Sequence, residues 1–163
     1  MLTILLHKWD ENKDILIENI KSIDEIGKLE YLDLVKLTFS SIYNNGRDIN
    51  ERAYRLLDCE SITEIDNGDY QGTLLYLIPF ETYQPCEYEY LMTNVSYGSC
   101  SGCDTLQGIV SYSDKRANDD QVKELLALCK DIITSTVKPY NDGWYHSYLF
   151  DTVTLTDEQL KEV

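Results

Sequence analysis

The sequence predicts an α+β fold, with N-terminal helices, a small antiparallel β-meander and a long C-terminal helix packed on the sheet. Three observations carry this. Apolar residues recur every three to four positions before Tyr43 and again after Asn118, whereas strand-forming residues broken by turn signals occupy the middle. The chain has 163 residues, of which 43% are apolar and 26% charged, which suits one folded domain spanning 1–163 rather than a disordered chain.

In the first helix, Ile15, Leu16, Asn19, Ile20 and Ile23 form the apolar stripe. Asn12 or Asp14 is the expected cap and Gly27 the expected end. Leu29, Leu32, Val35, Phe39 and Ile42 predict a second helix over about 28–43, stopped by Asn44-Asn45-Gly46. A short third helix is expected from Asn50 to Asp58, capped by Asp48, with Ala53, Leu56 and Leu57 on its apolar side.

The period then changes from 3.6 to 2. Ser61 to Asp66 alternates like a half-buried strand, and Asn67-Gly68 signals a hairpin. A second strand runs from Gln71 to Ile78 and stops at Pro79, and a third from Cys86 to Ser96. After a loop of small residues, Thr105 to Val110 reads as one helical turn. The last long helix runs from Asn118 to about Val137. Asn118 and Gln121 have the spacing of a capping box, acids fill the first turn, and Lys138-Pro139 closes the helix. Val122, Leu125, Leu126, Cys129, Ile132, Ile133 and Thr136 are its expected core face. Beyond it, Gly143 to Phe150 is a candidate strand and Thr156 to Gln159 a helix start.

With 29 acidic and 14 basic residues, the formal net charge is −15. That charge disfavours direct contact with nucleic-acid phosphates or anionic membranes; it permits a protein partner with a basic site, and equally serves simply to keep the chain in solution. The short apolar run at the N-terminus lacks the basic leader and cleavage site of a signal peptide, so a cytoplasmic location is expected. Five cysteines, an odd number, fit free thiols in a reducing compartment.

The distinctive local motif is Tyr97-Gly-Ser-Cys-Ser-Gly-Cys-Asp104. Cys100 and Cys103 are candidate ligands for zinc, the one cofactor the sequence suggests, although the second half of a four-ligand set is not evident. The same pair suits thiol redox chemistry, with Cys100 attacking and Cys103 resolving. The third reading is structural. Gly98 and Gly102 permit a tight turn through positive φ, the cysteines pack as small apolar groups, and Asp104 caps the next helix.

Asp66, Asp69 and Asp104 are candidates to gather at one end of the sheet. With only His7 and His146, no histidine-based catalytic set is evident, and no phosphate-binding glycine loop occurs. The reading therefore leans towards a non-enzymatic protein.

The chain has 13 tyrosines. Tyr88 and Tyr90, alternating on a strand, would share one face and make either a protein-binding patch or core cover. An exposed edge of this kind allows a homodimer.

Asp66-Asn-Gly-Asp-Tyr-Gln-Gly72 and Tyr97 to Gln107, followed by the last helix, resemble an uncharacterised family of small proteins encoded in bacteriophage genomes and prophages. The resemblance spans about Glu64 to Val137. It implies a phage origin and action in the host bacterial cytoplasm, and assigns no residue a role. On that basis the expected function is binding of a bacterial host or defence protein. Such binding would inhibit a nucleic-acid-handling enzyme if carboxylates stood in for DNA phosphates. Glu30, Asp33, Asp48, Glu51, Glu81, Glu87 and Glu89, with Tyr88 and Tyr90, are the candidate contact residues.

Overall fold

The computed structural model describes residues 2–45 and 55–137. It has the expected α+β architecture: two helices, a three-stranded antiparallel sheet of order β1-β2-β3, then a short and a long helix.

Helix α1 spans Leu2–Ser22, starting ten residues before Asn12. Its stripe of Leu5, Trp9, Asn12, Leu16 and Ile20 is buried at helical spacing. Asn12 is therefore not a cap. It sits within the stripe, and its Nδ2 donates to the Ile42 carbonyl at 3.1 Å, satisfying a C-terminal acceptor of the next helix. Gly27 does not end α1; it lies in a 3₁₀ turn, Ile26–Lys28, whose amides bond to the carbonyls of Asp114 and Lys115. That turn delays helix α2, which spans Tyr31–Ile42. The Asp33 carboxylate accepts from the Glu30 amide at its start.

Arg55–Asp58 are not helical as expected. Leu57 forms an isolated β-bridge with Phe80, and the Asn44 side-chain amide brackets it, donating to its carbonyl at 2.8 Å and accepting from its N–H at 2.9 Å. These partners replace the bonds a helix would have supplied. The rest of that expected helix, with Asp48, Glu51 and Ala53, lies outside the described residues.

The sheet comprises β1 (Thr63–Asp66), β2 (Gly72–Pro79) and β3 (Tyr90–Tyr97). The first turn occupies residues 67–71 instead of Asn67-Gly68 alone. Asp66 Oδ1 accepts from the Gly68 amide and Asn67 Oδ1 from the Thr73 amide, so side chains divert the backbone. Strand β3 starts four residues later than expected. The Glu89 amide donates to the Cys86 carbonyl, and the Glu89 carboxylate accepts from the Cys86 amide, closing 86–89 as a turn. Tyr88 is consequently in this turn and shares no strand face with Tyr90.

The inner face of the sheet carries Tyr76, Ile78, Leu91, Thr93 and Val95, all buried. Helix α4, Asp119–Thr134, packs against β3, and α1 packs on both α2 and α4. Its buried face is Val122, Leu125, Leu128, Cys129, Ile132 and Ile133. Leu128 thus joins the face, and Leu126 is only partly buried. Thr93 Oγ1 donates to the Ile132 carbonyl at 2.8 Å, tying strand to helix. The chain leaves the helix three residues before Val137, which pairs with Met92 on the free edge of β3.

Among the described residues no helix buries β1. All four of its residues are exposed, including those on the inner face, contrary to the half-buried alternation its sequence predicts. Among the described residues no helix is long and apolar enough to cross a membrane. Lys138 onward, including the candidate strand at Gly143 to Phe150, His146 and the helix start at Thr156 to Gln159, lies outside the described residues.

The Asn118 carboxamide accepts from the amides of Asp120 and Gln121, while Gln121 reaches back to the Asn118 amide. Asn118→Ala is therefore expected to lower stability by about 0.5–2 kcal/mol, with no change in the urea m-value. Equilibrium urea unfolding checks this.

Candidate functional site

Asp104 organises the region between the sheet and α2. Its carboxylate is buried and accepts three hydrogen bonds: from the Gly98 amide at 3.1 Å, the Gln107 amide at 2.8 Å and the Tyr31 hydroxyl at 3.2 Å. The Gln107 bond caps α3, Thr105–Ile109, as the sequence predicts. Tyr31 in turn accepts from the Leu106 amide at 3.1 Å. Burial, reinforced by the adjacent carboxylate, pushes the Tyr31 hydroxyl up to about 12.

This knot holds one wall of a groove of about 920 Å³. The opposite wall is the uncovered end of the sheet, where cross-strand pairing puts Glu64 beside Tyr76 and Asp66 beside Leu74 on the inner face. Five carboxylates line the groove (Glu30, Glu64, Asp66, Asp104 and Asp114), and among the described residues no lysine or arginine does. Tyr31, Tyr97 and Tyr112 supply aromatic surface, and Leu29, Leu74 and Leu106 an apolar floor.

Tyr31 and Tyr97 each donate to an aspartate. Tyr97 donates to Asp66 at 2.8 Å, and that bond raises its pKa. Tyr76 is fully buried, and its hydroxyl forms no hydrogen bond among the described residues. Burial raises its pKa far above the usual value, as do the nearby Glu64, Tyr31 and Asp66, all groove-lining groups. Asp114 is kept below the usual carboxylate range by the Ser111 amide and then the Gln121 side chain. An excess of fixed negative charge, with donors and aromatic faces nearby, suits a cationic group.

Of the three expected clustered aspartates, Asp66 and Asp104 line this groove, and Asp69 exerts its charge on Tyr97. The candidate contact acids do not form one strip. Glu30 is at the groove and Asp33 is exposed at the start of α2, while Glu81 and Glu87 are exposed near the far end of the sheet. Glu89 does not face outward: it is buried and paired with Arg55. Tyr88 and Tyr90 are half-buried.

The cysteine loop adjoins the groove through Ser101 and Asp104. The Cys103 and Asp104 amides both donate to the Cys100 carbonyl, at 2.9 and 2.8 Å, which brings the two sulfur atoms to 3.0 Å. Both side chains are exposed, so they do not pack as buried apolar groups. Gly98 is required by proximity, not by positive φ: a Cβ there would lie 2.3 Å from the Cys103 carbonyl oxygen. Gly102 has neither restriction. The Cys103 thiol is lowered from its ordinary value by the Cys100 and Ser99 side chains. Among the described residues no group of three or more His, Cys, Asp or Glu gathers as metal ligands. Cys59 and Cys129 are buried and Cys86 is exposed on its own turn.

The groove residues missed by sequence reasoning include Tyr31, Glu64 and Asp114. Glu64 and Asp66, two apart on a strand, share a face by the strand's own period. Nothing local marks Tyr31, which meets Asp104 across 73 positions of sequence.

No protein-family model, curated protein or solved structure matches the chain.

Two expectations follow. Asp104→Ala removes acceptors from two amides and a buried hydroxyl, and is expected to cost roughly 2–4 kcal/mol in urea unfolding. Glu89 is held below its ordinary 4.5, first by the Cys86 amide and then by Arg55. Its stabilising contribution is therefore complete above pH 4.5 and lost as pH falls through the lower folded-state value. Glu89→Gln is expected to lose stability at neutral pH and to show a shallower decline on acidification, measured by denaturant unfolding across the acid range.

Proposed function

We propose that this protein acts by binding a partner protein, and that the groove seats an arginine or lysine side chain which the partner presents. The carrying observation is a lining of five carboxylates with no lysine or arginine beside them among the described residues. Arginine fits best. Its planar guanidinium pairs with two carboxylate oxygens at once and stacks on tyrosine rings.

The net charge of −15 supports capture of a basic partner by long-range attraction. The likeness to phage-encoded proteins extends the proposal to a bacterial host or defence protein. Its basic surface, built for nucleic-acid phosphates, would meet carboxylates instead. In that case the protein inhibits by occupying the site.

Calorimetric titration with a short arginine-glycine peptide, and with its glutamate counterpart, tests this. The arginine peptide is expected to bind. Glu64→Gln combined with Asp66→Asn is expected to weaken that binding at least tenfold, roughly the loss of one charge-assisted bond. Raising salt from about 0.05 M to about 0.5 M should weaken it further. Equal binding of both peptides, or full binding by the double variant, would sink the proposal.

A further inference from the structure

We propose that Cys100 and Cys103 form a redox-active dithiol that exchanges with low-molecular-weight disulfides and closes reversibly into an intramolecular disulfide. The loop already holds the sulfur atoms 3.0 Å apart. A disulfide needs about 2.05 Å, so closure requires a movement of only about 1 Å. Two amides fixed on the Cys100 carbonyl, and the Gly98 backbone pressed against Cys103, keep this spacing in place without help from a ligand. Both thiols are exposed, so a small disulfide reaches them directly.

Cys103 is the attacking group. Its Sγ lies 3.0 Å from Cys100 Sγ and 3.8 Å from Ser99 Oγ, contacts in which either atom can donate; once Cys103 gives up the proton it shares with the Cys100 carbonyl at 3.3 Å, both neighbours can donate to the thiolate. The Cys103 thiolate attacks one sulfur of the reagent disulfide, forming a mixed disulfide and expelling one reagent thiolate. Cys100, its proton lost to solvent, then attacks the Cys103 sulfur and expels the second. One disulfide is reduced to two thiols as one forms in the protein, so electrons balance without a further oxidant.

The full chain is incubated with oxidised glutathione and mapped by peptide mass spectrometry, with exposed Cys86 as the internal comparison. The expected product is a Cys100–Cys103 disulfide free of glutathione, with glutathione on Cys86. Cys100→Ser is expected to trap glutathione on Cys103, and Cys103→Ser to leave Cys100 no more reactive than Cys86. Both substitutions fall on exposed side chains, and circular dichroism confirms that the variants fold. Lasting glutathione on both Cys100 and Cys103, or free thiols there while Cys86 is modified, would overturn the proposal. Trapping on Cys100 in Cys103→Ser, but not on Cys103 in Cys100→Ser, would reject Cys103 as the attacking group.

Discussion

One buried carboxylate connects the parts of this molecule that sequence separates. Asp104 binds the exit of β3 through Gly98, the start of α3 through Gln107, and the start of α2 through Tyr31. Burying a charge is costly unless its lone pairs are used, and here three donors use them. The three donors come from three segments, so the carboxylate fixes their relative positions as well as its own. The cysteine loop is tight because Asp104 and Cys103 share the Cys100 carbonyl, and it is closed because Gly98 has no side chain.

The groove arises from what the helices leave uncovered. Helix α4 lies against β3, so among the described residues the sheet is covered at that side and exposed at β1. Glu64 and Asp66 face inward by strand parity yet remain exposed to solvent. Opposite them, α2 and the Asp104 knot bring up Glu30 and Tyr31. The fold thus concentrates negative charge in a concave place lined with aromatic and apolar surface. That combination gives a cation both a counter-charge and a face to lie on.

The elements read well from sequence where periodicity was long and capping chemistry local. Helix α4 is the clearest case, with Asn118 and Gln121 acting as their spacing predicts. Asp104 as a cap was legible for the same reason. Reading failed where a side chain overrode a backbone preference through a distant partner. Asn12 resembled a cap but serves Ile42, thirty positions away. Leu56 and Leu57 resembled a helical face but are held extended by the Asn44 bracket and the end of β2. Glu89 resembled a surface acid but closes a turn and pairs with Arg55. Half of the groove was legible as Asp66 and Asp104. The other half depended on which strand the helices leave bare, and no local pattern encodes that.

The central claim is that the carboxylate groove receives a cation. Its most direct test is an amide NMR titration of the intact chain with an arginine-containing peptide. Shifts concentrated at Glu30, Tyr31, Glu64, Asp66, Tyr97 and Gln107, saturating together, are the result this account expects. Shifts scattered over exposed acids such as Glu87 and Asp120, without saturation, would mean that the charge acts diffusely and that the groove is no binding site.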